Sequence, residues 1–475
     1  MLHFFVLLTF LCSASALFNP YPRYKAYDDG GDPGQAVYVT DLINKGRFEE
    51  AQSLSKVTHD GLNKITTSYS GYFTVDKHCN SNMFFWYFPA KSDPKNAPVA
   101  LWLQGGPGAS SLFGLFTENG PFILKSNKTI KARPYSWHIN HHLIYIDNPV
   151  GTGFSFTNKD TDKDGICYST DETQVGQNLY EAVSQFFKLF PNLAQNRFYI
   201  TGESYAGKYV PALGHTILKR NQLEQSDATK INLVGLAIGN GLSDPVHQMN
   251  YGDYLYQLGL IDLNGRELFQ EYQKKGIDCI HKNDYLCAFN VFDELIDMDN
   301  TPYGSLFKNL TGFNSYFNYY DPKSTRAEDQ ALGEFLQASE TRHGIHVGNN
   351  SFHDVGENLV ENYLKLDIMK SVSEWVAELL SHYKVVIYNG QLDVIVAYPL
   401  TEAYLQKLKF SGSDDYAKAK RIIWKVDGQI AGYAKHAGNL TDVLVRNAGH
   451  MVPGDQPKWA LDLILRLTMN KGFHG

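Results

Sequence analysis

The segment that most constrains this chain is a serine-centred stretch at residues 201–207, TGESYAG. It follows the apolar run at residues 197–200 and precedes a helical pattern. A short strand leading through a serine into a helix predicts a tight turn that lifts the hydroxyl above the sheet edge. Such a turn needs small residues two positions before and after Ser204, and Gly202 and Ala206 are both small. Taken alone, a serine between small residues is most often an ordinary turn, so the segment does not by itself establish a catalytic role.

A catalytic serine needs a base that takes its proton and an acid that orients the base. Residues 384–388 predict a buried strand with Asp393 just beyond it, and residues 444–453 predict a strand ending in a glycine turn that presents His450. Asp393 could instead serve a turn, and His450 is one of 16 histidines. The chain order Ser, Asp, His, with both partners at predicted strand ends, favours a triad on the α/β-hydrolase fold.

A glycine-rich loop follows another predicted strand. The strand pattern at residues 97–103 runs into QGGPGASS at residues 104–111. Consecutive glycines let backbone N–H groups approach a substrate closely enough to stabilise an oxyanion. A surface Gly-Pro loop is the alternative. A phosphate loop is disfavoured, because neither glycine-rich phosphate fingerprint occurs here.

Short motifs spread along the chain match a known family. They are residues 102–108 (WLQGGPG), 147–155 (DNPVGTGFS), 202–207 (GESYAG), 238–241 (IGNG), 388–393 (YNGQLD) and 449–453 (GHMVP). On these motifs the chain resembles the serine carboxypeptidases, an acid-active family, and is most similar to its vitellogenic-like branch. The resemblance implies an α/β-hydrolase fold with a central mixed, mostly parallel sheet and an inserted helical cap. It also implies a serine exopeptidase that releases C-terminal amino acids at acidic pH through an acyl-enzyme.

The resemblance assigns further roles to individual residues. The backbone N–H groups of Gly106 and Tyr205 are expected to form the oxyanion hole. The residues expected to hold the substrate carboxylate are Trp102, Gln104, Gly105, Glu118 and Glu203. Two carboxyls forced together cannot both ionise cheaply, so a Glu118–Glu203 pair would bind a peptide carboxylate in its protonated form. Without the family match, Glu118 reads as a surface glutamate.

Two positions depart from the family pattern. Gln104 stands where Asn is frequent, and its amide is expected to make the same bonds from one methylene further out. Ala109 stands where many members have a disulfide cysteine, so that bridge is absent here.

A pass along the chain predicts an α/β core with an insertion. Strand patterns occur at residues 69–76, 83–89, 98–103, 142–146, 197–201, 231–238 and 384–388. The clearest helix is predicted to start at a capping box, Ser169 to Glu172, and to end before Pro191. We expect the core to comprise residues 17–245 and 367–475, and residues 246–366 to form the cap.

Other features favour the secretory pathway, with an extracellular or lysosomal destination. Residues 1–16 resemble a signal peptide, and no other stretch is apolar enough for a membrane anchor. Four cysteines remain after residue 16, and the sequence does not choose among their three pairings. Cys279 with Cys287 is the natural short bridge, which would leave Cys79 with Cys167. Candidate glycosylation sites are Asn127, Asn309, Asn349 and Asn439.

Composition disfavours several other classes. The net charge of −7 is mild and no basic stripe occurs, which argues against nucleic acid partners. No metal site and no cofactor are expected. The expected partners are peptide or protein C-termini, bound by a monomer or homodimer. An esterase or acyltransferase on the same fold, or a catalytically silent secreted scaffold, remains the alternative.

Overall fold

The computed structural model describes residues 21–22, 24–162, 165–224, 230–297, 304–321, 327–354 and 357–473. The predicted signal peptide, residues 1–16, lies outside the described residues. In chain order the strands are β1 (Tyr69–Asp76), β2 (Ser81–Phe88), β3 (Val99–Leu103), β4 (Phe122–Leu124), β5 (Ile130–Ala132), β6 (His142–Ile146), β7 (Thr161–Asp162), β8 (Gly165–Ile166), β9 (Phe198–Glu203), β10 (Leu233–Gly239), β11 (Lys384–Gly390), β12 (Ile422–Val426), β13 (Gln429–Ala437) and β14 (Leu440–Val445).

A 10-stranded sheet forms the centre of the molecule, in the order β1-β2-β6-β3-β9-β10-β11-β14-β13-β12. The strands from β6 to β14 in this order pair in parallel, and the pairings at both margins are antiparallel. The predicted mixed, mostly parallel sheet of an α/β fold is therefore confirmed. Because parallel strands end at the same edge, the residues just after β3, β9, β10, β11 and β14 are brought together.

Helices cover both faces of the sheet. In chain order they are α1 (Thr40–Asn44), α2 (Phe48–Ser55), α3 (Asp60–Asn63), α4 (Ser111–Thr117), α5 (Glu172–Leu189), α6 (Ala206–Leu223), α7 (Tyr251–Gln257), α8 (Leu263–His281), α9 (Tyr285–Phe292), α10 (Leu306–Thr311), α11 (Ala327–Gln337), α12 (Ser339–Gly344), α13 (Leu359–Leu364), α14 (Ser373–Leu380), α15 (Tyr398–Lys407), α16 (Ser413–Lys418), α17 (Val452–Asp455) and α18 (Pro457–Thr468).

The alternation of side chains along β2 shows how the two faces are filled. Phe85 and Tyr87 point into one apolar cluster with α5 and α6, while Phe84 and Trp86 point into a second cluster that includes residues of α18. Every residue of β2 is buried. Successive side chains of a strand face opposite sides, so this aromatic strand anchors a helical layer on each.

The regular elements that the structure describes between β10 and β11 are helices, α7 through α14, and they are joined by loops such as residues 312–321. This segment includes most of the predicted cap at residues 246–366. The division into a core and a separate cap remains a prediction, because packing alone does not define independent units.

One local prediction was wrong. Helix α5 is capped by Asp171, whose side chain accepts from Gln174 N at 2.9 Å, and not by Ser169. The strand predicted before His450 is β14, which ends at Val445, and His450 lies in the turn beyond it, as expected. Asn447 has a left-handed φ of 53°, which an extended strand does not accommodate.

Two disulfides cross-link the chain. One joins Cys79 to Cys167, and the other joins Cys279 to Cys287. The structure therefore selects the pairing that contains the short bridge.

Candidate active site

Ser204 sits on a strained turn between β9 and α6. Its φ of 66° lies in the left-handed region, which non-glycine residues rarely adopt. A Cβ added at Gly202 would lie 2.7 Å from both Ala206 Cβ and Leu103 O, so this position requires glycine. The Ser204 N–H donates to Gly239 O at 3.0 Å, which ties the turn to the end of β10. This geometry is that of a nucleophile elbow.

Asp393 and His450 meet on neighbouring loops, as their positions after β11 and β14 require. The two strands pair in parallel, with Gly390 opposite Val445. His450 Nδ1 lies 2.8 Å from Asp393 Oδ2, and both side chains are fully buried. A carboxylate bonded to Nδ1 fixes the ring orientation and leaves Nε2 for proton transfer.

Further donors hold the Asp393 carboxylate in place. Asn240 Nδ2 donates to Oδ2 at 2.7 Å, and the backbone N–H groups of Ile395 and Val396 donate at 3.1 and 3.2 Å. The Tyr254 hydroxyl donates to the Asp393 carbonyl at 2.8 Å. The position of Asp393 is therefore set by groups from several different elements.

His450 is held by a residue of the segment between β10 and β11, here called the inserted segment. Phe317 stacks on the imidazole with a centroid distance of 4.7 Å and an interplanar angle of 5°, and its carbonyl accepts from His450 N at 2.7 Å. Nε2 is buried and has no hydrogen-bond partner among the described residues. Ser204 lines one cavity and His450 lines another, and Phe317 lies in the wall of both.

The glycine loop after β3 and the elbow approach each other closely. A Cβ added at Gly105 would lie 2.5 Å from Tyr205 N, so only glycine lets the two loops meet. Gly106 and Tyr205 line the same cavity as Ser204. In the described part of the chain, no acceptor takes either of their N–H groups. Both donors are thus available to an oxygen bound beside Ser204.

A chain of side chains connects β3 to the elbow. Trp102 Nε1 donates to Gln104 Oε1 at 2.9 Å, and Gln104 Nε2 donates to Glu203 Oε1 at 3.0 Å. The Trp102 indole therefore orients the Gln104 amide and is itself almost fully buried.

Glu118 and Glu203 form a buried pair next to this amide. Glu118, which follows α4, is 1% exposed and Glu203 is 0% exposed. Burial raises the pKa of both carboxyls, and the neighbouring Glu118 raises the pKa of Glu203 further. Both oxygens of Glu118 and Oε2 of Glu203 lack a well-oriented hydrogen-bond partner among the described residues. Such a pair retains a proton at pH values where isolated glutamates have lost theirs.

Comparison with known proteins identifies the family. The profile of the family described as serine carboxypeptidase, Peptidase_S10, matches residues 61–470. The chain belongs to this family. It is similar to "Venom serine carboxypeptidase" of Apis mellifera, with 54% identity over 98% of both chains. "Vitellogenic carboxypeptidase" of Aedes aegypti is 51% identical over 98% of both chains. "Probable serine carboxypeptidase CPVL" of Homo sapiens is 45% identical over 96% of this chain and 94% of its own.

A solved structure shows the same fold. Kex1(delta)p, described as a prohormone-processing carboxypeptidase from Saccharomyces cerevisiae, superimposes with a TM-score of 0.74 at 23% identity. The match covers 88% of this chain and 96% of that one. The protein is accordingly a serine carboxypeptidase with the α/β-hydrolase fold, and peptides are its substrate class.

Other properties of the carboxypeptidase concern its surface and possible ligands. No helix in the described residues is long and apolar enough to span a bilayer. Nor do three His, Cys, Asp or Glu side chains of the described ranges form a group that could hold a metal ion. Asn127, Asn309 and Asn349 are exposed, whereas Asn439 is half-buried and donates its amide to Leu380 O at 2.9 Å.

Sequence reasoning missed several residues at the site of the carboxypeptidase. Asn240 could have been found, because it directly follows β10, which pairs in parallel with β11, the strand that precedes Asp393. Phe317 could not have been found, since it is one of the 28 phenylalanines of the chain and lies outside every motif. Tyr21 was also missed, although its hydroxyl accepts from Gln104 Nε2 at 3.4 Å.

Proposed function

We propose that this serine carboxypeptidase removes C-terminal amino acids at acidic pH through an acyl-enzyme formed on Ser204. The observation that carries the proposal is the buried Glu118–Glu203 pair, joined to Gln104 beside the nucleophile. A site for a substrate that lacks a free terminal carboxylate, such as an ester or an amidated peptide, has no need of two buried carboxyls without a neighbouring cation. A site for a peptide carboxylate gains from them when they are protonated, because they then donate hydrogen bonds to the anion.

In the proposed mechanism Ser204 Oγ adds to the scissile carbonyl carbon while His450 Nε2 takes the hydroxyl proton. The oxyanion accepts from the N–H groups of Gly106 and Tyr205. Collapse of the tetrahedral intermediate breaks the C–N bond, and His450 gives its proton to the departing amine. Water then attacks the acyl-enzyme with His450 again as base, which releases the shortened peptide and restores Ser204. Asp393 orients the imidazole throughout.

The leaving amino acid would be held by its free carboxylate. Gln104, with Glu118 and Glu203 in their protonated forms, supplies donors, while Trp102 and Gly105 shape this end of the site. Above the titration of the pair the same carboxyls become anionic and repel the substrate. Peptide KM is therefore expected to rise toward neutral pH, whereas His450 must be unprotonated to act as base.

We also propose that the protein enters the secretory pathway and acts in an extracellular or lysosomal compartment. The two disulfides support an oxidising environment during folding. Glycans are expected at the exposed Asn127, Asn309 and Asn349. We expect Asn439 to remain unmodified, because it is half-buried and its side chain is held against Leu380 O.

The deciding experiment measures KM against pH for one blocked dipeptide in free-acid and amide forms, with wild type and Glu203→Gln. The expected result is a KM for the free acid that rises toward neutrality in wild type, with a smaller rise for the amide. Glu203→Gln keeps a donor without ionising and should flatten the rise. Identical profiles in all four combinations would refute the carboxylate pair and point to a general esterase.

A further inference from the structure

The amino-terminal end of the described chain enters the active-site cleft. Tyr21 is 4% exposed although it lies near a chain terminus. Its ring packs edge-on against Phe113 at 5.6 Å and against Phe317 at 5.1 Å. Phe317 is the residue that stacks on His450. Tyr21 is therefore wedged between the helix after the glycine loop and the residue that covers the catalytic imidazole.

The hydroxyl of Tyr21 lies among the groups proposed to bind substrate. It accepts from Gln104 Nε2 at 3.4 Å and interacts with the side chain of Ser204. Gln104 has two amide hydrogens, and Glu203 takes one of them. The other is directed at the Tyr21 hydroxyl, at the position where the substrate carboxylate would accept it.

The space left beside Ser204 is small. The cavity lined by Tyr21, Ser204, Gly106 and Tyr205 has a volume of about 40 Å³. That volume holds only a few water molecules. A peptide could not reach the nucleophile and the Gln104 amide while the Tyr21 ring occupies this place.

We propose that Tyr21 is a built-in occupant of the substrate site and that the amino-terminal segment holds the carboxypeptidase in a self-blocked form. This inference rests on the proposed carboxylate site, since Tyr21 competes for Gln104 and Ser204. A phenol suits the role because it is uncharged and can both donate and accept hydrogen bonds. Unlike a peptide carboxylate, it is not repelled by the two buried glutamates.

The chain just after Tyr21 offers a place where the segment can be severed. Lys25 and Ala26 are exposed, and so are Asp28 and Asp29. Beyond them the chain is anchored again, because Asp29 accepts from Ser339 N at 3.1 Å. A cut after Lys25 would separate Tyr21 from a chain that stays attached to the body of the protein. The occupant would then lose the high effective concentration that its tether provides.

The expected consequence is a change in KM and not in kcat. If Tyr21 must leave before substrate binds, the apparent KM equals the KM of the open enzyme divided by the fraction of molecules whose site is open. If about one molecule in ten is open, release lowers KM about tenfold. Because the catalytic groups are unchanged once substrate is bound, kcat should stay the same.

The experiment uses the full chain with a recognition sequence for a specific protease inserted after Lys25. KM and kcat for a blocked dipeptide are measured before and after cutting, in wild type, Tyr21→Ala and Tyr21→Phe. Tyr27→Ala is the matched control, because Tyr27 lies in the same segment but lines none of the cavities at the site. Ser204→Ala separately tests the proposed function: peptidase activity that survives it would refute the mechanism and not the self-block.

Cutting should lower KM about tenfold in wild type and in Tyr27→Ala. Tyr21→Ala should show the low KM uncut and gain nothing further on cutting. Tyr21→Phe loses only the hydroxyl, so its KM should fall by about twofold to tenfold. If uncut Tyr21→Ala and uncut Tyr21→Phe both keep or exceed the wild-type KM, the proposal is wrong and Tyr21 is a wall of the substrate site.

Discussion

Two buried polar clusters flank the nucleophile elbow, and they differ in the sign of the neighbouring charge. The carboxyl pair, Glu118 and Glu203, lies on the side of the elbow that precedes Ser204. The lysine cluster, Glu172, Lys208 and Asp367, lies against the ring of Tyr205 on the side that follows it. Lys208 is fully buried, and its Nζ donates to Asp367 O at 2.6 Å.

Burial acts alike on both clusters, but the neighbours act in opposite directions. In the carboxyl pair, burial and the charge of Glu118 together raise the pKa of Glu203. In the lysine cluster, burial raises the pKa of Glu172 to about 8, the charge of Lys208 opposes the rise, and the charge of Asp367 adds to it less strongly than Lys208 opposes it. A neighbouring charge of opposite sign stabilises a buried charged group, as a structural cluster requires. Neighbouring like charges without a cation shift pKa values strongly, as is expected at a site that changes its protonation state in function.

The largest expected effect concerns the serine between the clusters. Ser204→Ala should lower kcat by roughly 10⁴-fold or more, since the acyl-enzyme can no longer form. The measurement is hydrolysis of a blocked dipeptide at acidic pH, with labelling of wild type by a serine-directed reagent, located by mass spectrometry. Substantial peptidase activity in the variant, or a label elsewhere, would remove the elbow from the mechanism.

The tight turn at Ser204, the contact between Asp393 and His450 and the glycine loop could be predicted because their chemistry restricts residue type. A positive φ at Ser204 demands small neighbours, and a base needs an acid, so few positions satisfy the pattern. Asn240 was within reach of the same reasoning, because β10 and β11 are adjacent and parallel. The strands were found where apolar runs were short and bounded, as at residues 142–146.

Contacts made by ordinary side chains could not be predicted. Phe317 stacks on His450 and Tyr21 wedges against Phe317, yet neither stands in a distinctive motif. Both contacts depend on how the inserted segment and the amino terminus pack over the sheet edge. The helix start at Asp171 was missed for a local reason: Asp and Ser are both good caps, and Glu172 turned inward to burial instead of completing a capping box.

The second expected effect concerns the charge that distinguishes the lysine cluster. Lys208→Met should destabilise the protein by about 3–5 kcal/mol, because it removes the only fully buried cation beside Glu172 among the described residues. It also leaves Asp367 with the half-exposed Lys370 alone. Lys219→Met is the control on the same helix; Lys219 pairs with Glu378 at the surface, and its loss should cost less than about 1 kcal/mol. The measurement is the unfolding midpoint in urea for the two variants. Equal shifts would mean that the buried lysine contributes no more than a surface pair.

The third expected effect is on the pH dependence of stability. With a folded-state pKa of about 8, Glu172 holds its proton in the folded chain at pH values where the unfolded chain has released it. Stability must therefore fall as pH rises toward 8. For one such carboxyl the loss between pH 6.5 and 8 is about 1.5 kcal/mol.

Glu172→Gln should remove this loss, and Glu181→Gln, an exposed change on the same helix, should not. Unfolding midpoints at pH 6.5 and 8 provide the measurement. The buried His138 and His141, whose pKa values are lowered to about 4, contribute with the opposite sign until the unfolded imidazoles are neutral. Glu172→Gln leaves their contribution unchanged, so the difference in slope between the two proteins reports on Glu172. Parallel slopes in wild type and Glu172→Gln would contradict the assignment.

The smallest expected effect tests whether the carboxyl pair titrates as a pair. Glu118→Gln removes the like charge, so the pKa of Glu203 should fall, which is the reverse of what Lys208→Met should do to Glu172. Peptide KM in Glu118→Gln should then rise through a single ionisation that begins at lower pH than the last one in wild type. The difference from wild type should stay below about tenfold at each pH, the change that one pKa unit makes. This shift of the KM rise to lower pH is expected if the two carboxyls are coupled, because ionisation of one makes ionisation of the other more costly. An unshifted KM profile in Glu118→Gln would show that Glu203 titrates alone, and the contrast between the two clusters would then lie in burial and not in neighbouring charge.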